Sequence, residues 1–248
     1  MTELLITSKV PGKLIYWRVP YMIRTVENPN DEIYWAEDYH GQGFWAPVSD
    51  RIWKVEINMR REGSPGDITL ELWECGGDGI DDKPSVKLAD LATKEASDVP
   101  TSLSWVTFEC FENSPILEKG KKYAVVVHAY RPDYQNAYYI SVLHNIRRDD
   151  GQEFHSADGS SWTRMQFNDL EMKIWFGREF RVEDKGFSEA YLLRIEYLED
   201  GTEITVDGEI TFRGDAGEID ILPTAILIPF KKITYESGQV KVFGVGIP

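Results

Sequence analysis

Three groups of side chains in this 248-residue chain have types and spacings that could do chemistry. Asp78, Asp81 and Asp82 share a loop with Gly76, Gly77 and Gly79, and could offer carboxylate and carbonyl oxygens to calcium. Their spacing is not that of a helix-loop-helix calcium site, and a solvated acidic loop is the other reading. Asp133, Tyr134, Asn136, Arg147 and Trp162 form a candidate glycan-binding set. Rings stack on sugar faces, while carboxylate, amide and guanidinium groups bond hydroxyls. Loop packing or a subunit contact would use the same residues. The histidines His40, His128, His144 and His155 show no metal-ligand spacing, and His128, within an apolar strand, reads as a packed core residue.

None of this assembles a reaction. A glycan-cleaving enzyme needs two carboxylates at a defined separation, and with 42 acidic residues any pair is easy to name. Cys75 and Cys110 lie in strand-like stretches with no histidine nearby in sequence, which fits two buried thiols better than a bridge. The chain therefore reads as non-enzymatic, with no cofactor called for other than calcium. Its net charge of −15 repels phosphate backbones, so nucleic acid is not an expected partner. The opening residues lack a basic start followed by an apolar core, and no stretch approaches the length of a membrane span. Neither a signal peptide nor membrane insertion is expected.

The elements that would position these residues are strands. From Gln42 onward short alternating runs are broken by turns about every 8–12 residues, the rhythm of a sandwich. Ile52–Met59, Ile68–Cys75, Ser104–Phe108, Tyr123–His128, Ala137–Val142 and Leu170–Phe176 are the expected strands, and Val86–Glu95 is given at most one helical turn. Ser156–Trp162 reads as a hairpin turn in which Asp158 bonds its own amides, Gly159 supplies the dihedral and Trp162 buries back onto the strands. Residues 1–41, broken by Pro11, Pro20 and Pro29 yet rich in apolar side chains, read as an irregular N-terminal arm that docks on the sandwich or on a neighbouring subunit. Composition turns charged at 178–186. Beyond it a small C-terminal β domain, 178–248, is expected, with Val206-Asp207-Gly208 as hairpin turn chemistry. Its apolar run Ile219–Phe230, interrupted by Pro223 and Pro229, suits either an edge that meets another chain or a buried strand. The eight Trp and twelve Tyr exceed what such a core needs.

Residues 42–177 resemble a jelly-roll-like β-sandwich accessory domain found in phage and virus structural proteins and in carbohydrate-binding surface proteins. The likeness rests on Gln42-Gly43-Phe44, on Gly66–Leu72, on Lys83–Ala89, on Trp105–Phe108 followed by Leu117–Val127, and on Ser156–Trp162 closing with Asp169-Leu170. It implies a virion structural protein, placed in a tail, baseplate, fibre or capsid decoration and assembled in a host cytoplasm. The implied partners are other virion proteins, copies of itself and cell-surface glycan. The alternative it implies is a carbohydrate-binding module for adhesion or host recognition.

Overall fold

The computed structural model describes residues 13–19, 21–24, 31–34, 39–76, 82–129, 135–144, 152–165, 168–181, 183, 188–221, 228–237 and 240–247. The protein is all-β, and its chain divides into two compact units, Met22–Phe176 and Met1–Tyr21 with Gly177–Pro248.

A first strand, β1 (Lys13–Val19), belongs to the smaller unit. The larger unit then carries β2 (Tyr21–Arg24), β3 (Asp31–Tyr34), β4 (Tyr39–Trp45), β5 (Ile52–Glu62), β6 (Ile68–Gly76), β7 (Lys83–Lys94) and β8 (Ser104–Glu109). It continues with β9 (Lys122–Ala129), β10 (Ala137–His144), β11 (Glu153–Ser156), β12 (Thr163–Met165), β13 (Asn168–Leu170) and β14 (Met172–Phe176). These form two sheets. One is seven-stranded, ordered β13-β10-β5-β14-β2, with β3 on β10 and β8 on β5. The other is six-stranded, ordered β12-β11-β4-β9-β6-β7.

Period-two alternation explains why the two sheets face each other. Ile52, Val55, Ile57 and Met59 of β5 and Ile68, Leu70 and Leu72 of β6 are fully buried and share one core with Phe108, Val125, Val127 and Ile174. The Gln42 side chain ties the layers together. Its Nε2 donates to Asp169 Oδ1 at 3.0 Å and its Oε1 accepts from the Leu170 N–H at 2.9 Å, which joins β4 of one sheet to β13 of the other. Cys75 and Cys110 are buried and unbridged, and burial pushes both thiols up to about 12.

Two expectations need correction. Lys83–Lys94 is not helical in any part: β7 is a strand along β6 at the sheet edge. Its register slips at three places between Leu70 and Cys75 of β6, and each slip breaks the alternation that would have marked a strand in sequence. The slips, with Pro84 and the lysines, also blunt a free edge against pairing with other chains. The N-terminal residues before Gln42 are not wholly irregular either, since β1, β2 and β3 lie among them. None of the three prolines falls within a described strand.

The smaller unit adds β15 (Glu179–Arg181), β16 (Glu189–Tyr197), β17 (Thr202–Val206), β18 (Ile210–Gly214), β19 (Ile219–Ile221), β20 (Ile228–Phe230), β21 (Lys232–Ser237) and β22 (Val240–Ile247). β1 pairs antiparallel with β22 from Lys13↔Gly246 to Val19↔Val240, in a sheet ordered β1-β22-β16-β19 with β20 also on β16. A four-stranded sheet, β15-β21-β17-β18, supplies Ile204, Val206 and Ile233 to the core made with Leu192, Ile195, Tyr197 and Val242. Asp207 and Gly208 have φ of 52° and 76°, and the Glu209 N–H donates to the Val206 carbonyl at 3.1 Å, so the expected hairpin turn is of the type that needs two left-handed residues. The run Ile219–Phe230 contributes β19 and β20, both paired to β16, while 222–227 lie outside the described residues.

One close contact yields a test. A Cβ on Gly214 would sit 2.5 Å from the ring of Tyr197, which is 2% exposed and hydrogen-bonded through its hydroxyl to Asp220 at 2.6 Å. The ring cannot swing away without losing that bond. Gly214→Ala is expected to destabilise the smaller unit by about 1–3 kcal/mol, measured as the shift of its urea transition by far-ultraviolet circular dichroism. An unchanged midpoint would refute the packing described.

Candidate functional site in the seven-stranded sheet

The outward face of the seven-stranded sheet carries four part-exposed rings among the described residues. β5 supplies its spine. Because Val55, Ile57 and Met59 face the core, Lys54, Glu56, Asn58 and Arg60 must point the other way. Register then fixes their neighbours. On β8, Glu109 lies opposite Lys54, Thr107 opposite Glu56 and Trp105 opposite Asn58. On β14, Trp175 lies opposite Lys54 and Lys173 opposite Glu56, and on β10 Tyr139 lies opposite Arg60. A bulge adds Trp53: Phe176 is opposite Ile52, so Trp53 is the extra residue, and extra residues re-aim side chains. Its ring meets Trp175 edge-on, 6.3 Å between centres at 72°.

Polar groups hold these rings in place. Trp175 Nε1 donates to Glu56 Oε2 at 2.6 Å, and Lys54 Nζ lies 3.3 Å from Glu56 Oε1 and 4.9 Å from the Trp175 ring centre. Lys173 Nζ sits 3.7 Å from the centre of the Trp105 ring, and the Arg60 guanidinium 3.8 Å from that of Tyr139. Such contacts are favourable because the ring face is electron-rich. Asn58 Nδ2 donates to Glu171 Oε2 at 2.7 Å. Trp53, Trp105, Tyr139 and Trp175 all remain part-exposed. The arrangement can bind: flat apolar surfaces sit beside fixed donors and acceptors on a rigid sheet.

The outward side of the six-stranded sheet differs. There Trp73, Cys75, Ala124, Val126, Phe154 and Trp162 form a second small core. Glu71, 2% exposed, accepts from Trp73 Nε1 at 2.7 Å and from Lys87 Nζ at 2.7 Å, and lies 3.3 Å from His128 Nδ1. His128 stacks on Tyr39 with ring centres 4.0 Å apart. It is therefore not the packed residue of the main core that its apolar strand suggests. Alternation turns it to the outer face, where its side chain is 35% exposed.

The residues expected from sequence are not gathered by the fold as far as it is described. Asp133, Tyr134 and Arg147 lie outside the described residues. Asn136 flanks β10, and its Oδ1 accepts from the Ser64 N–H at 2.8 Å. Trp162 stands beside the other sheet, 8% exposed, edge-on to Trp73 at 5.4 Å and to Tyr39 at 6.1 Å. That burial leaves it little face for a ligand. Asp78 and Asp81 are also outside the described residues. Asp82 is buried, with no hydrogen-bond partner on Oδ1. Among the described residues no group of three or more His, Cys, Asp or Glu is placed to hold a metal ion, so one acid is all that can be assigned towards calcium.

The turn before Trp162 has the chemistry expected of it. Asp158 Oδ1 accepts from the N–H of Ser161 at 2.7 Å and of Ser160 at 2.8 Å, and Gly159 takes φ of 68°. Those amides, Ser161 foremost, hold the Asp158 carboxyl well below the usual carboxylate range. A depressed folded-state value gives stability that is present above the ordinary value of about 3.9 and is lost as pH falls towards the folded one. Asp158→Ala should therefore lower the thermal midpoint at neutral pH, with the gap to wild type closing below about pH 4. A gap that holds constant into acid would refute the bonding scheme.

No family model matches this chain, and no curated protein matches it. Two of the solved structures that this chain matches are weakly similar to it. One holds the cysteine protease and lectin-like domains of Cwp84, a surface layer associated protein of Clostridium difficile. It aligns over 63% of this chain and 35% of its own length, at 11% identity and a TM-score of 0.46. The other, clostridial cysteine protease Cwp84 after propeptide cleavage, aligns over 63% of this chain and 39% of its own, at 12% identity and 0.43. This chain thus spans little more than a third of either, and a likeness of that strength carries no argument about what it binds or catalyses. Among the described residues no helix is long and apolar enough to cross a membrane.

Proposed function

We propose that this protein is a non-catalytic attachment module whose seven-stranded sheet binds carbohydrate through Trp53, Trp105, Tyr139 and Trp175. One observation carries the reading: four part-exposed rings share one rigid sheet face, each beside a charged or amide side chain that fixes it. A flat apolar body with a hydrogen-bonding rim is what a sugar ring requires of its receptor. The four rings and their polar neighbours all hang from paired strands, so little ordering is left for the moment of binding.

The resemblance of residues 42–177 to accessory domains of virion proteins supplies the setting we propose for this activity, a particle that uses the module to reach a host surface. Electrophoresis of the full chain through gels containing soluble polysaccharides tests the binding. Retardation by at least one glycan supports it, and free migration through a broad panel, with the protein folded, overturns it. Co-sedimentation with particles from a producing host tests the setting, which fails if the protein is absent from purified particles.

A further inference from the structure

The charges on the sheet face say which kind of glycan fits. Lys54, Arg60 and Lys173 are met there by Glu56, Glu62, Glu109 and Glu171. The cations are already engaged. Lys54 is paired with Glu56 at 3.3 Å, Arg60 with Glu62 at 3.4 Å, and Lys173 lies on the Trp105 ring. Of the carboxylates, Glu56 is engaged by Trp175 and Lys54, Glu62 by Arg60 and Glu171 by Asn58, while Glu109 is exposed and adds negative charge to the face. Among the described residues no surplus of positive charge faces outward to draw an acidic sugar, and the chain as a whole, at −15, repels one. Burying an ionic ligand against a surface whose charges are satisfied internally would cost its desolvation with no partner in return.

The rings also set a length. Trp53 and Trp175 stand at the Lys54 position of β5, Trp105 at Asn58 and Tyr139 at Arg60, a run of ~20 Å at the rise of an extended strand. A single sugar covers one ring; a chain of several sugars covers all.

Resting on the carbohydrate reading above, we infer that the ligand is an uncharged, extended polysaccharide lying along β5. Binding is expected to be weak for the monosaccharide, to strengthen with oligomer length until the ring row is spanned, and to change less than about twofold from low to high salt, because no exposed ion pair forms for salt to screen. The experiment uses the full chain in gels containing mixed-linkage β-glucan, galactomannan or alginate, each run at low and high salt. It is followed by calorimetry with a length series of the glucan or mannan that retards best. Retardation by a neutral polymer, insensitive to salt and growing with length, is the supporting result. Preference for alginate, fading as salt is raised, would overturn the inference and leave carbohydrate binding standing. So would full affinity for the monosaccharide. Migration unaffected by every polymer would remove the carbohydrate reading itself.

Discussion

Trp105→Ala combined with Trp175→Ala is expected to abolish glycan retention while the protein stays folded. The two rings stand on opposite sides of β5, opposite Asn58 and opposite Lys54, so no single sugar contact replaces both. Aromatic anchors dominate recognition surfaces, and each truncation should weaken binding about tenfold, or 1.4 kcal/mol. The pair should then lose about a hundredfold. Both rings are part-exposed and outside the main core, so cooperative unfolding should survive. Trp175→Phe, which keeps a ring but gives up the Nε1 bond to Glu56, should lose less than Trp175→Ala. Undiminished retention in the double variant would show that the sheet face is not where carbohydrate binds.

The second large effect concerns stability. Gln42→Leu is roughly isosteric but withdraws the donor from Asp169 Oδ1 and the acceptor from the Leu170 amide, in a place where Gln42 is 1% and Asp169 4% exposed. A hydrogen bond lost by a buried charged group costs more than a neutral one. The expected loss is about 2–4 kcal/mol, read from the urea midpoint of tryptophan fluorescence. That probe reports chiefly on the sandwich, since seven of the eight tryptophans fall within Met22–Phe176 and only Trp17 belongs to the smaller unit. A loss under about 1 kcal/mol would mean the link between sheets is not needed.

Much of the sandwich can be read from residue order alone. Ile52–Met59 and Ile68–Cys75 alternate apart from Trp53 and Trp73, and β5 and β6 are where that pattern puts them. The turn at Asp207-Gly208 and the one at Asp158-Gly159 were legible for a different reason: only a few residue types tolerate those dihedrals. β7 was hidden because its slips against β6 scramble the period, and β1 because its pairing partner lies at the far end of the chain. No local pattern reports a partner so distant.

The binding face was present in the sequence but in a quieter form. In Trp105-Val106-Thr107-Phe108, Val106 and Phe108 go to the core, so Trp105 falls in phase with Thr107 on the polar side. Trp175 is likewise in phase with Lys173, and Tyr139 lies between buried Tyr138 and Ile140. A ring where alternation calls for a polar residue is the signal. Counting aromatics shows a surplus; only their phase shows which face receives it. Trp53 carried no such mark, because a bulge put it there.

The antiparallel match of Lys13–Val19 with Val240–Ile247 bears on how the molecule comes into being. A ribosome delivers the first of these partners before the sandwich and the second after it. Met22–Phe176 has its own core and can close as soon as it emerges, whereas the flanking unit must wait for β22. In topological terms the sandwich is a domain inserted into another, and removing either β1 or β22 would unmake the same small sheet.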